Sequence, residues 1–148
     1  MKIEDMNKSK LEINASLKNV LKSGTNSVLV KDITNLLFES RTQVHYWHLQ
    51  TRSYAEHKAL NEFYDSIVDL GDSLIECMIG VYGRPEGSYQ HNIVEYKSEN
   101  LIPYFKKIKK MMKDYYTVIA NNGNTEICNA IDEIFSLIDK TVYLLSLK

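Results

Sequence analysis

Apolar residues recur along most of the chain at the spacing of a helix face. Leu29, Ile33, Leu36, Leu37, Ser40, Val44 and Trp47 fall on one side of a 3.6-residue helix, which predicts a first long helix over about 28–50. The stripe resumes at Leu60, Phe63, Ile67, Leu74, Met78 and Val81. Ser53-Tyr54-Ala55-Glu56 precedes it in the S-x-x-E form of a capping box, and Gly83-Arg84-Pro85 follows as a stop. This second helix would be about 29 residues or ~43 Å long. Leu101, Phe105, Ile108, Met112, Tyr115 and Ile119 predict a third helix over about 100–121. Pro103 sits in its first turn, where the missing N–H costs little, and Asn122-Gly123 ends it. Asn124 or Thr125 caps a fourth helix, with Ile127, Ala130, Ile131, Ile134, Leu137, Ile138, Val142 and Leu145 on its inner face. Leu11, Leu17, Val20 and Leu21 predict a short leading helix within an N-terminal extension, residues 1–24.

The connections then decide the architecture. The first two helices, and the last two, are joined by short turns, whereas residues 83–99 are longer than a tight hairpin needs and have room for a small helix. The expected fold is all-α: a four-helix bundle with one crossover connection, as in ferritin-like bundles. The length of 148 residues fits one domain, and only two Pro and six Gly interrupt it. A net charge of -1 argues against a protein that wraps nucleic acid by bulk charge. No apolar run approaches the ~20 residues of a membrane span. The start, MKIEDMNKSK, has no hydrophobic signal region. Two cysteines, Cys77 and Cys128, form neither a disulfide framework nor a C-x-x-C pair, so the expectation is a cytosolic protein with reduced thiols.

Candidate chemistry concentrates on the first two helices. Three of the four histidines lie within residues 45–57, and Asp72 and Glu76 follow further along. With Leu60 as the core direction, His57 lies at about 60°, Asn61 at about 100°, Asp72 at about 120° and Glu76 at about 160° around the second helix. These residues share one stripe flanking the core face. Imidazole and carboxylate together suit Fe(II), Mn(II) or Zn(II). Yet His57 and Asp72 are about 22 Å apart along one helix, and metal–ligand bonds are only ~2 Å long. Either these are two unrelated half-sites, or two antiparallel copies of the second helix meet about a two-fold axis, with the His end of one chain facing the Asp/Glu end of the other.

The spacing His45–x11–His57–x3–Asn61–x10–Asp72–x3–Glu76 resembles the H-x11-H-x3-D-x10-D-x3-E ferroxidase pattern of the Dps family of mini-ferritins, matching four of five ligand types. The end of the chain, NNGNTEICNAIDEIFSLIDKTVYLLSLK, resembles that family's last helix, and HLQTRSYAEHKALNEFYD resembles Dps-like proteins of phages and large DNA viruses. The resemblance implies two-fold dimers assembled into a dodecameric shell. Non-haem iron, at a mononuclear or di-iron site, would be oxidised from Fe(II) by peroxide or dioxygen and stored as ferric oxide, protecting against oxidative damage. His45 (or, with a one-residue shift in the turn, His48) and His57 of one subunit would act with Asp72 and Glu76 of the other. The family's Asp is Asn61 here, a neutral ligand at best, and Asp65, one turn on, could substitute through a water.

Plainer roles compete with each of these. Taken singly, His45 and His48 suit an exposed or helix-capping position, His57 a first-turn polar residue, and Asp72 and Glu76 a solvated face. Trp47 suits the core. The run Lys106-Lys107-Ile108-Lys109-Lys110 with Lys113 suits a solvated helix face better than a DNA-binding patch. The alternatives to a ferroxidase are therefore a structural or interaction protein that kept the fold, with Asn61 marking weakened iron chemistry, and an oligomer that associates with DNA.

Overall fold

The structure, a computed structural model, describes residues 26–147. The leading helix expected before residue 24 lies outside them. Four long helices make up the described chain: α1 (Asn26–Gln50), α2 (Tyr54–Tyr82), α3 (Leu101–Asn121) and α4 (Thr125–Leu145). A 3-10 turn, Ser98–Asn100, leads into α3. Among the described residues there is no strand, and no helix is long and apolar enough to cross a membrane.

The helix ends follow from local chemistry. Ser53 caps α2, its Oγ accepting from the Glu56 N–H at 3.3 Å. Gly83 takes φ +92° and returns its N–H to the Ile79 carbonyl, which closes the helix in a conformation that costs other residues a Cβ clash. Gly123, at φ +80°, does the same for the turn between α3 and α4. Only half of the capping box forms. The Ser53 N–H goes to Thr51 Oγ1 instead, because the Glu56 side chain is buried elsewhere.

The four apolar stripes meet in one core. Trp47, Phe63, Phe105, Ile33, Met112 and Ile131 are among its fully buried side chains, and Phe63 meets Phe105 edge-to-face at 4.8 Å. Val81, expected inside, is exposed, while Met78, Ile79 and Tyr82 are the residues of that end of α2 that meet the core. Asn124 starts α4 without a side-chain cap; its Oδ1 accepts from Tyr82 Oη at 2.6 Å, tying the end of α2 to the α3–α4 turn. Lys109–Asp139 and Lys140–Glu62 link α4 to α3 and α2 at the exposed rim, where such pairs contribute at most about 1 kcal/mol each. Cys77 and Cys128 are free thiols.

The connection from Gly83 to Lys97 returns along the bundle to the end where α1 finishes and α2 begins. It is held there by three side chains at i, i+4 and i+7 on α1. Gln43 clamps Val94 with both amide atoms, accepting from its N–H at 2.8 Å and donating to its carbonyl at 2.9 Å. Trp47 Nε1 donates to the same carbonyl at 3.0 Å, and Gln50 Oε1 accepts from the Tyr96 N–H at 2.9 Å. Glu56 completes the strap. Its carboxylate is 2% exposed and accepts from Thr51 Oγ1 at 2.8 Å, Ser98 Oγ at 2.6 Å and Tyr96 Oη. α3 therefore starts beside the start of α2 and runs parallel to it, while α1 and α4 run the other way.

Between α1 and α3, burial together with the nearby Asp32 and Asp114 carboxylates pushes the Tyr115 phenol up to about 12. The unfolded chain ionises near ~10, so it releases this proton first and stability falls as pH rises between those values, by at most about 1.4 kcal/mol per pH unit for one group. Below pH ~10 both states keep the proton and the contribution is fully present. Urea midpoints across this range will fall less steeply in Tyr115→Phe than in wild type. Equal slopes would remove Tyr115 from the alkaline response.

Candidate metal centre

The corner between α1 and α2 gathers the three predicted histidines. His48 is buried and its Nδ1 donates to the His57 carbonyl at 3.0 Å; His57 Nδ1 donates to the His48 carbonyl at 3.1 Å. A carbonyl can only accept, so each Nδ1 carries a proton, and Nε2 is the ring nitrogen left for a ligand. A hydrogen bond from the remote ring nitrogen to a carbonyl is the usual way a protein orients a metal-binding imidazole. The same contacts have a structural value. The α1 carbonyls near Gln50 lack a following turn to bond with, and the His57 ring supplies one donor.

The ring geometry separates the three. The His48 and His57 rings are stacked, 3.7 Å between centroids and 26° apart. An ion in the plane of one stacked ring lies out of the plane of the other, so the two do not chelate one ion while stacked. Two imidazoles sharing an ion, with ~2.1 Å bonds, hold their centroids roughly 5–6 Å apart. His45 and His48 are at 6.0 Å and 54°. His45 is exposed and stacks on Tyr64 at 4.2 Å, and Tyr64 also meets His48 edge-on at 5.0 Å.

Asn61 lies in the same cluster but is already engaged. Its Oδ1 accepts from Tyr64 Oη at 3.0 Å and its Nδ2 donates to Asp65 Oδ2 at 2.8 Å. One lone pair of Asn61 Oδ1 is therefore taken by Tyr64, and the amide brings no charge to a metal. Asp65 is exposed, and Glu62 is turned to Lys140. The Tyr64–Asn61–Asp65 chain was not legible in the sequence beyond its i, i+3, i+4 spacing.

Asp72 and Glu76 lie further along α2, about 22 Å and more from His57 at 1.5 Å per residue. Both are exposed and neither has a side-chain hydrogen bond or ion pair among the described residues. Within one chain, no three His, Cys, Asp or Glu side chains of the described residues are grouped closely enough to hold a metal ion. The donor types fit a transition metal, imidazole Nε2 at one end and free carboxylates at the other, but one chain presents them as two half-sets. Between them the α1–α2 face carries two continuous stripes. Phe38, Thr42, His45 and Leu49 are all exposed on α1, and Asp65, Asp72 and Glu76 on α2.

No solved structure matches the chain significantly. Over 113 residues it is 30% identical to an uncharacterised 14.6 kDa protein from the mobD-ri intergenic region of Enterobacteria phage T4, an alignment spanning 76% of this chain and 84% of that protein. Residues 48–145, which take in His48, His57, Asp72 and Glu76 but not His45, match the family described as a family of unknown function (DUF5856), and the chain belongs to that family.

Proposed function

We propose that the protein is a ferritin-like, Dps-like iron-handling protein. In this reading two α1–α2 faces pair antiparallel about a two-fold axis. Each of two equivalent sites then combines imidazoles of one subunit with Asp72 and Glu76 of the other. The observation that carries the reading is the pair of reciprocal Nδ1-to-carbonyl hydrogen bonds, which leaves Nε2 of His48 and of His57 available; while the rings stack, one of the two serves a given ion, and His45, 6.0 Å from His48, has the spacing of a second imidazole. The exposed Phe38 and Leu49 on the same face support the pairing, since a partner would remove their apolar surface from water. The bundle with its single crossover supports the ferritin-like assignment.

Fe(II) is the substrate. The imidazoles favour a transition metal over Mg(II) or Ca(II), and the carboxylates stabilise the higher charge of Fe(III) after an electron passes to peroxide or dioxygen. Larger shells follow only from the family resemblance. The second reading is a protein that kept the fold for assembly and lost efficient oxidation. The engaged Asn61 favours it, because that position contributes no charge and its amide is hydrogen-bonded at both ends. An oligomer that displays its lysines to DNA is supported less. Lys109 is held by Asp139 and lies over Phe135 at 5.7 Å, which leaves the run short of one free cation.

Ferric absorbance after mixing Fe(II) with the protein, with and without peroxide, tests the proposal. Wild type will oxidise Fe(II) faster than buffer, and Asp72→Ala and His57→Ala will each slow it at least about tenfold, the size expected when a metal loses a ligand or its orientation. Analytical ultracentrifugation of the same samples reports the dimer. A monomer that oxidises no faster than buffer sinks the reading; a dimer or larger shell without acceleration favours the assembly protein.

A further inference from the structure

His91 lies in the crossover, outside every pattern considered so far. It lines a cleft of about 220 Å3 between α1 and α2, together with Phe38, Arg41 and Asp72, over a floor that includes Leu37 and Ile67. Its Nε2 is buried and has no hydrogen-bond partner among the described residues, and its ring lies 4.8 Å from Tyr89. A buried nitrogen without a partner is costly, and in native proteins it signals a water, an ion or a ligand. The free carboxylate of Asp72 lines the same cleft. Residues 83–90 are exposed throughout, so the crossover can yield around His91 without disturbing the core.

The ligand count gives this nitrogen a role. Asn61 stands where a fifth ligand is expected, but both ends of its amide are engaged. We infer that His91 takes up that vacancy from the opposite half-site: with Asp72 of its own chain it forms a His–carboxylate half-site for a divalent transition metal, closed by the imidazoles of the second copy. The inference rests on the inter-subunit reading above. Arg41, on the same cleft, disfavours a cation. An imidazole beside one carboxylate suits a borderline metal such as Fe(II) or Zn(II) rather than Ca(II) or Mg(II), which need several oxygens.

Zn(II) is the probe, titrated into full-length protein labelled with 15N. Long-range 1H–15N correlation reads each histidine nitrogen, and His91→Gln identifies the His91 resonances. Zn(II) is expected to move His91 Nε2 to the position of a metal-bound nitrogen together with one or more of His45, His48 and His57. His91→Gln is expected to weaken Zn(II) binding about tenfold while its thermal melt stays close to wild type. If the corner histidines shift and His91 does not, the inference is overturned and the inter-subunit centre stands. If no histidine responds to Zn(II), both fall. If inorganic phosphate moves His91 and Zn(II) does not, the cleft is an anion site built on Arg41 and the inference is likewise overturned.

Discussion

Glu56→Ala will lower the unfolding free energy by about 3 kcal/mol or more, because it removes the shared acceptor of three hydroxyl donors from a buried site. Thr51, Tyr96 and Ser98 all direct hydroxyls at this carboxylate, and the first belongs to the α1–α2 turn while the others belong to the crossover and the start of α3. Three segments come apart together when it is lost. Urea unfolding gives the total, and amide hydrogen exchange at Tyr96 and Ser98 should rise well beyond that of α4. Glu56→Gln keeps the volume and one carbonyl acceptor, so its loss should be smaller. A Glu56→Ala protein within about 0.5 kcal/mol of wild type would show that the knot only fills space.

Trp47→Ala will cost a comparable amount, about 3–5 kcal/mol, since the ring is 1% exposed and packs edge-on to Tyr104 at 4.9 Å. Trp47→Phe separates packing from hydrogen bonding. It keeps an aromatic ring against Tyr104 and removes the Nε1 donor, while the Val94 carbonyl retains Gln43 Nε2. It should therefore cost only about 1 kcal/mol beyond the lost volume. Equal losses in the two variants, measured by denaturant midpoint, would assign the effect to the strap rather than to the core.

The helices were legible because each signal is local. A 3.6-residue apolar repeat, Ser53 before α2, and Gly83 and Gly123 after helices act within a few residues, so their placement needed no knowledge of neighbours. The S-x-x-E reading was half correct for the same reason. Ser53 caps as expected, but the Glu56 carboxylate gains more from hydroxyls that lie about 40 residues away in sequence than from the adjacent N–H. Gln43, Trp47 and Gln50 gave one visible sign, two amides at helical spacing on a largely apolar face. Their partners, the backbone of Val94 and Tyr96, carry no side-chain signature.

The histidines divide along the same line. Sequence spacing alone placed His57 too far from Asp72 for one chain to close a site, because the rise of a helix is a constant. It left His45 and His48 as alternatives. Their difference is tertiary: His48 is buried with Nδ1 on the His57 carbonyl, whereas His45 is exposed against Tyr64. The sequence by itself determined the four helices, their inner faces and the need for a second copy if the donors are to meet. Only the tertiary structure decided which ring nitrogens are left for a ligand, that Asn61 is engaged, and that His91 shares a cleft with Asp72. Hydrogen-bond partners and burial depend on how distant segments pack, and no local pattern encodes them.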